Sequence, residues 1–403
     1  MTARRPAPAR DLPAGVIPCV PVDRDGRPLA RTGFASFVPR LALVFAPFPM
    51  HWIPDEPCLP PESLAGLLER GPSAVGYREQ IQRLWLLSLR VWRSDRDWTM
   101  TRYRPPLSHS TLSPRPLLDD LTLVIPTLGR PILEESLQAV ATGDAWPAEI
   151  ILVDQGSSPD VAEWVRHLQG AGLKVQHLRS TQRGRARGVN RGIEQVRTRF
   201  FAVTDDDCLA EPDWLSAMVS RLRATPGTII TGRVEAEGEA EVVALMTSRT
   251  PVTYTRPRLK HDSMSGGNMG AAREVIHRVG PLDEDPALAA AEDCEYSYRA
   301  LRSGVPITYA PEVVIRHVGW RDPAQRAAQY EVYGRSLAGF LGKYIRRGDA
   351  FIGLRLVIHT LRALRRWLRG LLTGDQEAVL YGRGHVKGLL PGLRDGWRSG
   401  SAP

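Results

Sequence analysis

A chain of 403 residues, 43% hydrophobic and 24% charged, has ordinary globular composition and room for two or three structural units around a large core. Four scattered cysteines (Cys19, Cys58, Cys208, Cys294) form no CxxC pair and no disulfide framework, which argues against a zinc module and for a reducing cytoplasm. The net charge of +9 is concentrated: from Asp322 onward 14 Lys and Arg stand against 6 Asp and Glu, so a near-neutral body carries a basic tail. That distribution speaks against nucleic acid as partner and for an anionic surface.

The first residues are basic (Arg4, Arg5, Arg10) but interrupted by Pro6, Pro8, Pro13 and Pro18, and no apolar run follows, so no signal peptide is expected. The most apolar early stretch, Leu41–Phe45, is far short of the roughly 20 residues a membrane-spanning helix needs. Residues 1–115 are rich in Pro and Arg. Within them Tyr77–Trp92 has helical apolar spacing and reads as a core helix of an accessory region, and Arg102–Pro116 reads as an extended linker.

From Asp120 short β-rich runs alternate with helical ones. Strands are expected at Leu121–Ile125, Ile150–Val153, Leu173–His177 and Arg199–Thr204, with helices at Pro131–Ala141, Pro159–Leu168 and Ala186–Val196. The alternation predicts an α/β fold with a doubly wound, mostly parallel sheet, whose ligands bind beyond the carboxyl ends of the strands. Thr127, Asp154 and Asp205–Asp207 each follow a strand.

Three adjacent carboxylates repel one another, and a divalent cation shared with substrate phosphates relieves that repulsion. Surface acids capping a helix near Pro212 are the other reading, and the strand-end position favours the metal. Receiver domains and aspartyl phosphatases usually carry their acid pair at the first strand, which here ends Ile125-Pro126-Thr127-Leu128-Gly129-Arg130 without an acid. Asp154, in Asp154-Gln-Gly-Ser, is placed either to accept from a base or ribose or to cap its own turn. Arg183, Arg185 and Arg187 open a helix, where cations oppose the dipole unless an anion lies near; a solvated basic face is the alternative. Ser265–Gly270 reads as a tight loop opening a helix at Ala271–Val279, with backbone N–H groups free to approach a ligand. Glu292 and Asp293 precede a helix at Tyr296–Ser303, and strands at Pro306–Ala310 and Val313–Arg316 lead to His317 and Trp320.

In order, VIPTLGR (124–130), ILVDQGS (151–157), VTDDDC (203–208), GGNMG (266–270), AEDCEYSYR (291–299) and HVGW (317–320) resemble the inverting family 2 glycosyltransferases of the GT-A fold. The resemblance spans residues 119–320. It implies that Thr127 and Arg130 line the nucleotide pocket, that Asp154 contacts the base, and that Asp206 faces the ribose or donor sugar. It further implies Asp207 and His317 as ligands of manganese or magnesium, and Asp293 of the Glu292-Asp293 pair as catalytic base. Asp205, Gly267, Asn268, Asn190, Glu292 and Trp320 join the expected nucleotide-sugar contacts. One departure is Val189, where many members carry Arg before the Asn of this helix; Arg183 or Arg187 is the expected substitute at the diphosphate. The chemistry is coherent, since an acceptor hydroxyl needs a carboxylate to take its proton and a departing diphosphate needs a cation.

Residues 321–403 form a basic helical tail, with helices expected from Pro323 to Ile345 and from Ala350 to Leu372. In the second, Leu354, Val357, Leu361, Leu364, Leu368 and Leu371 recur at three- and four-residue steps, with Arg355, Arg362, Arg366 and Arg369 on another face. Two arrangements fit: a helix lying on anionic lipid, or a helix packing its Leu stripe on the catalytic domain. The expected activity is transfer of a sugar from a nucleotide-sugar donor to a glycan or lipid-linked acceptor, in the cytoplasm or on the inner face of a membrane. A nucleotidyltransferase that releases pyrophosphate, and a noncatalytic sugar-binding scaffold, are the competing readings.

Overall fold

A computed structural model of the chain describes residues 112–237, 245–260 and 262–399, together with three short strands ahead of them. The expected helix Tyr77–Trp92 and most of the 102–116 linker lie outside the described residues. The chain divides into two compact units, Met1–Pro105 with Glu237–Glu239, and the remainder. In the first, β1 (Cys19–Pro21) pairs antiparallel with β2 (Met50–Trp52), which pairs parallel with β3 (Thr101–Arg102).

The second unit opens with β4 (Leu117–Thr127), α1 (Ile132–Ala141), β5 (Trp146–Asp154), α2 (Asp160–Gly170), β6 (Val175–Arg179), α3 (Arg185–Gln195) and β7 (Phe200–Thr204). Leu121–Thr127, Ile150–Asp154 and Phe200–Thr204 are buried throughout, as expected for parallel strands covered on both faces. There follow β8 (Cys208–Ala210), α4 (Trp214–Ala224), β9 (Ile229–Glu237), β10 (Val252–Tyr254), β11 (Asn268–Ala272), α5 (Arg273–Val279), α6 (Glu292–Arg302) and β12 (Ile307–Val318). The sheet runs β10-β12-β9-β11-β7-β4-β5-β6, with β8 paired to β12. Strands β7, β4, β5 and β6 are mutually parallel, whereas β11 and the pairings of β12 with β10 and β8 are antiparallel.

From β4 the chain steps through β5 to β6 in one direction, then returns through α3 to β7 on the other side of β4. Right-handed crossovers therefore put α3 on the face opposite α1 and α2, and the crevice of this reversal opens between the ends of β4 and β7.

Three local expectations need correction. GGNMG does not lead directly into a helix: Asn268–Ala272 is a strand, and the helix starts at Arg273. The cause is tertiary, because fully buried Asn268 donates to the Arg233 and Val313 carbonyls and accepts from Trp214, drawing the segment into the sheet between β7 and β9. The two strands expected around Pro311 are one, β12, with Pro311 lying between the stretch paired to β10 and the stretch paired to β8.

The tail holds three helices rather than two: α7 (Pro323–Arg346), α8 (Ala350–Thr373) and α9 (Gln376–Ser399). Gly384, Gly388, Gly392, Gly396 and Pro391 made α9 illegible as a helix. Those glycines form a stripe against α7, so close that a Cβ at Gly388 would lie 2.3 Å from the Arg335 nitrogen and one at Gly396 1.9 Å from the Gly339 carbonyl oxygen. Their missing side chains are what allows the two backbones to meet. A small core of Leu288, Tyr298, Phe340, Leu341 and Ile352 joins α6, α7 and α8. Here α8 uses Ile352, Arg355, Ala363 and Gly370, and its Leu stripe is not the packed face.

Candidate active site

The crevice between β4 and β7 is stitched by Asp206. Its carboxylate accepts from Thr127 Oγ1 at 2.8 Å, from the Leu128 N–H at 3.3 Å and from Arg130 Nη1 at 3.1 Å. Its carbonyl accepts from Ser136 of α1, a contact the sequence did not reveal. Burial lifts the Asp206 carboxyl above its ordinary value, and Asp207 adds to this against the pull of Arg130.

Asp207 faces the other way. Its carboxylate lies 3.2 Å from His317 Nε2 and accepts from Trp320 Nε1 at 2.9 Å, while Arg130 stands 3.5 Å away. The fold causes this meeting: β8 pairs with the end of β12 so that His317 lies opposite Cys208, and the Val318 N–H bonds the Asp207 carbonyl. Burial works to raise the Asp207 carboxyl, but the hydrogen bond and charge of His317, then Trp320 and Arg130, hold it well below the usual carboxylate range. His317 shows the reciprocal effect, raised by Asp207 against the opposing effect of burial.

Asp207, Cys208 and His317 bring one ligand atom each within 4.8 Å of one another. The Cys208 thiol is driven well above its ordinary value by burial and then by Asp207 and Asp205, so the sulfur stays protonated. The remaining pair, an ionised carboxylate and an imidazole, fits a hard divalent cation with positions left for phosphate and water.

Asp154 is fully buried at the end of β5. One of its oxygens accepts from the Gly156 N–H; the other takes His177 Nε2 at 3.0 Å and Arg179 Nη1 at 3.2 Å. Both partners come from β6, where Asp154 and Arg179 are in register, and neither was legible as a site residue. Beside them opens a groove of about 550 Å³ lined by Gln155, Gly156, Arg179, Ser180, Gln182 and Arg183.

Of the three arginines that open α3, the central one enters the site. Arg185 donates to Asp205 at 2.7 Å through Nε and to Glu292 at 3.0 Å through Nη1, joining the acidic turn to α6. Burial opposes its charge, yet Asp205, Glu292 and Asp293 together raise its pKa further. Arg183 is exposed at the groove, and Arg187 turns to Glu284 at 3.6 Å.

Glu292 is pushed up to about 7, chiefly by burial and then by Asp293, against Arg185. Its second oxygen and Arg185 Nη2 are buried without a hydrogen-bond partner among the described residues. Half-buried Asp293 accepts from the Gly266 N–H at 3.1 Å and from the Cys294 N–H at 2.8 Å. Burial raises it too, with Asp262 adding to the effect against Arg185.

The glycine pair leaves room for these side chains. A Cβ on Gly266 would lie 2.8 Å from Arg185 Nη1, and one on Gly267 2.7 Å from an Asp205 oxygen. The two asparagines are turned into the protein. Asn190 clamps residues 282–284 through the Leu282 carbonyl and N–H and the Glu284 carboxylate, as Asn268 clamps the sheet.

The glycosyltransferase-like family 2 model matches residues 119–331, and the chain belongs to that family. Among curated proteins it is similar to chondroitin synthase of Escherichia coli, at 23% identity over 52% of this chain and 38% of that one. It is also similar to hyaluronan synthase of Pasteurella multocida, at 23% over 46% of this chain and 23% of that one. The chain thus spans well under half the length of these curated relatives. Among solved structures it is similar to a mannosyltransferase of Pyrobaculum calidifontis in complex with GDP-Man and Mn2+, at 18% identity and a TM-score of 0.45 over 74% of this chain and 90% of that one.

Proposed function

We propose that this protein transfers a sugar from a nucleoside-diphosphate donor to a hydroxyl of a glycan or lipid-linked acceptor, with inversion at the anomeric carbon. The observation that carries the reading is the convergence of two acid sets at one end of the sheet. Asp207 with His317 is suited to a cation, and Asp293 is suited to a proton, with Arg185 bridging their neighbours Asp205 and Glu292.

The groove beside Asp154 receives the base and ribose, with Arg179 and Arg183 at its edge. Thr127 and Arg130 hold Asp206 at the donor crevice, and Trp320, with Arg130 over its ring at 4.9 Å, closes the side toward Asp207. Asp207 and His317 hold manganese or magnesium, which when bound neutralises the charge that builds on the leaving diphosphate.

Asp293 takes the proton of the attacking hydroxyl. Two backbone N–H groups fix its carboxylate, and its raised pKa makes it a better base than an ordinary aspartate. The unpartnered Glu292 oxygen and Arg185 Nη2 offer an acceptor and a donor to sugar hydroxyls in the same space. Asn190 and Asn268 serve the donor by fixing the elements beneath it. The reaction belongs on the cytoplasmic side of a membrane that presents the acceptor, since the tail is basic and that face is anionic.

Calorimetry with a panel of nucleotide sugars tests the donor. One member binds in the presence of Mn2+ and loses at least about tenfold in affinity when Asp207→Asn removes a ligand charge. Absence of binding to every member of the panel overturns the reading.

A further inference from the structure

Helix α8 packs inward through Ile352, Arg355, Ala363 and Gly370 and not through its leucine stripe. Arg355 pairs with Asp262, Arg366 lies over the Tyr381 ring at 3.9 Å, and Gly370 meets the backbone of α9. Outward it shows Leu354, Val357, Leu361, Leu368, Leu371 and Leu372, each between 51% and 87% exposed. At steps of three, four and seven residues Leu354, Val357, Leu361, Leu368 and Leu371 fall in one stripe along the helix, with Leu372 beside it, and no described residue covers it. A surface helix of a globular protein normally presents the opposite face.

The same helix carries five arginines and no acid. Arg365 and Arg369, both exposed, sit beside the stripe, and Arg362 reaches the Lys260 carbonyl. This charge selects the occupant. Two copies meeting stripe to stripe would bring Arg365 and Arg369 of each helix together with no carboxylate on either α8 to offset them. An anionic lipid surface supplies acyl chains for the leucines and phosphates for the guanidinium groups.

We propose that the outward face of α8 docks on an anionic membrane, its leucines in the acyl boundary and Arg365 and Arg369 on headgroup phosphates. The purpose of this docking rests on the reading of a membrane-presented acceptor; the docking itself does not. It also orients the site. Arg355 ties α8 to Asp262, four residues before Gly266, whose N–H holds Asp293. The docked helix is thereby tied, through its inward face, to the loop that holds the base.

The test is co-sedimentation of the full chain with vesicles of phosphatidylcholine alone or mixed with phosphatidylglycerol, beside turnover on a soluble acceptor. The wild type partitions to the anionic vesicles and stays in solution with the neutral ones. Leu361→Asp with Leu368→Asp abolishes partition while soluble-acceptor turnover persists. Arg365→Gln with Arg369→Gln, which leaves the stripe intact, weakens partition on the order of 30-fold. Equal partition to both vesicles, no partition to either, or retention by the aspartate variant overturns the proposal. So does light scattering that shows a wild-type dimer made monomeric by the aspartate pair, which assigns the stripe to a second copy. A wild type that binds anionic vesicles yet turns over no nucleotide sugar supports the docking and overturns the transferase reading instead.

Discussion

Replacing Asp293 by Asn separates catalysis from architecture at the atom assigned to the proton. The asparagine amide oxygen can still accept the Cys294 N–H, now 2.8 Å from the carboxylate, but its NH2 then meets the Gly266 N–H, now 3.1 Å away. One charge-assisted hydrogen bond is lost while the cost of burying the carboxylate is relieved, so the net stability change is on the order of 1 kcal/mol. Loss of a general base removes roughly 100- to 10,000-fold in rate, or about 3 to 5 kcal/mol of barrier. The assay is nucleoside diphosphate release under saturating donor, with donor affinity by calorimetry and unfolding by urea. The expected pattern is a kcat loss in that range, donor affinity within about twofold of wild type, and a small shift in unfolding midpoint. The pH profile adds a second readout. The raised carboxyl of Asp293 must be ionised to act, so wild-type kcat/KM falls as pH drops through that pKa, and the residual activity of the variant lacks this limb. A variant with kcat within tenfold of wild type and the same acid limb would refute the assignment of Asp293 as base.

Glu292→Gln tests the buried partner of Arg185. The folded-state pKa of Glu292 is raised from 4.5 to about 7, so its contribution to stability is complete below 4.5 and lost as pH rises toward 7. At 1.36 kcal/mol per unit the contribution is on the order of 3 kcal/mol, and urea unfolding between pH 4.5 and 8 should show a flatter dependence in the variant. An unchanged slope would place the titration elsewhere. Asn190→Ala removes three hydrogen bonds to residues 282–284 and should destabilise by about 3 kcal/mol while leaving donor affinity within about twofold. A selective loss of donor affinity at unchanged stability would instead mean that this amide touches the donor.

The parallel half of the sheet was legible because β4, β5 and β7 are continuous apolar runs separated by helical ones, a local signal that tertiary packing reinforces. The strand-end positions of Thr127, Asp154 and Asp205–Asp207 followed from that pattern. The antiparallel half was harder to read. β11 is four buried small or apolar residues behind Asn268, whose amide sets its place, and β8 is three residues whose register with β12 creates the meeting of Asp207 and His317. The sequence directed attention to Arg183 and Arg187 as substitutes for the Arg absent at Val189, whereas Arg185 is the one that enters the acidic cluster. Helical phase alone does not decide this; the glycines of 266–267, which leave space for Arg185 and Asp205, were the available clue. α9 was invisible because propensity penalises the glycines that its packing against α7 requires. The direction in which α8 faces depends on which of its two sides finds partners, and periodicity is the same for both.

Sugar transfer with inversion is read out by what leaves the donor and what arrives on the acceptor. Incubation with an accepted nucleotide sugar, Mn2+ and a glycan acceptor, followed by proton NMR and phosphate analysis, is predicted to show nucleoside diphosphate release matched by a glycoside of opposite anomeric configuration. Chelation and Asp207→Asn should both suppress the two signals together. Release of pyrophosphate, retention of configuration, or turnover that persists undiminished under chelation would contradict the account.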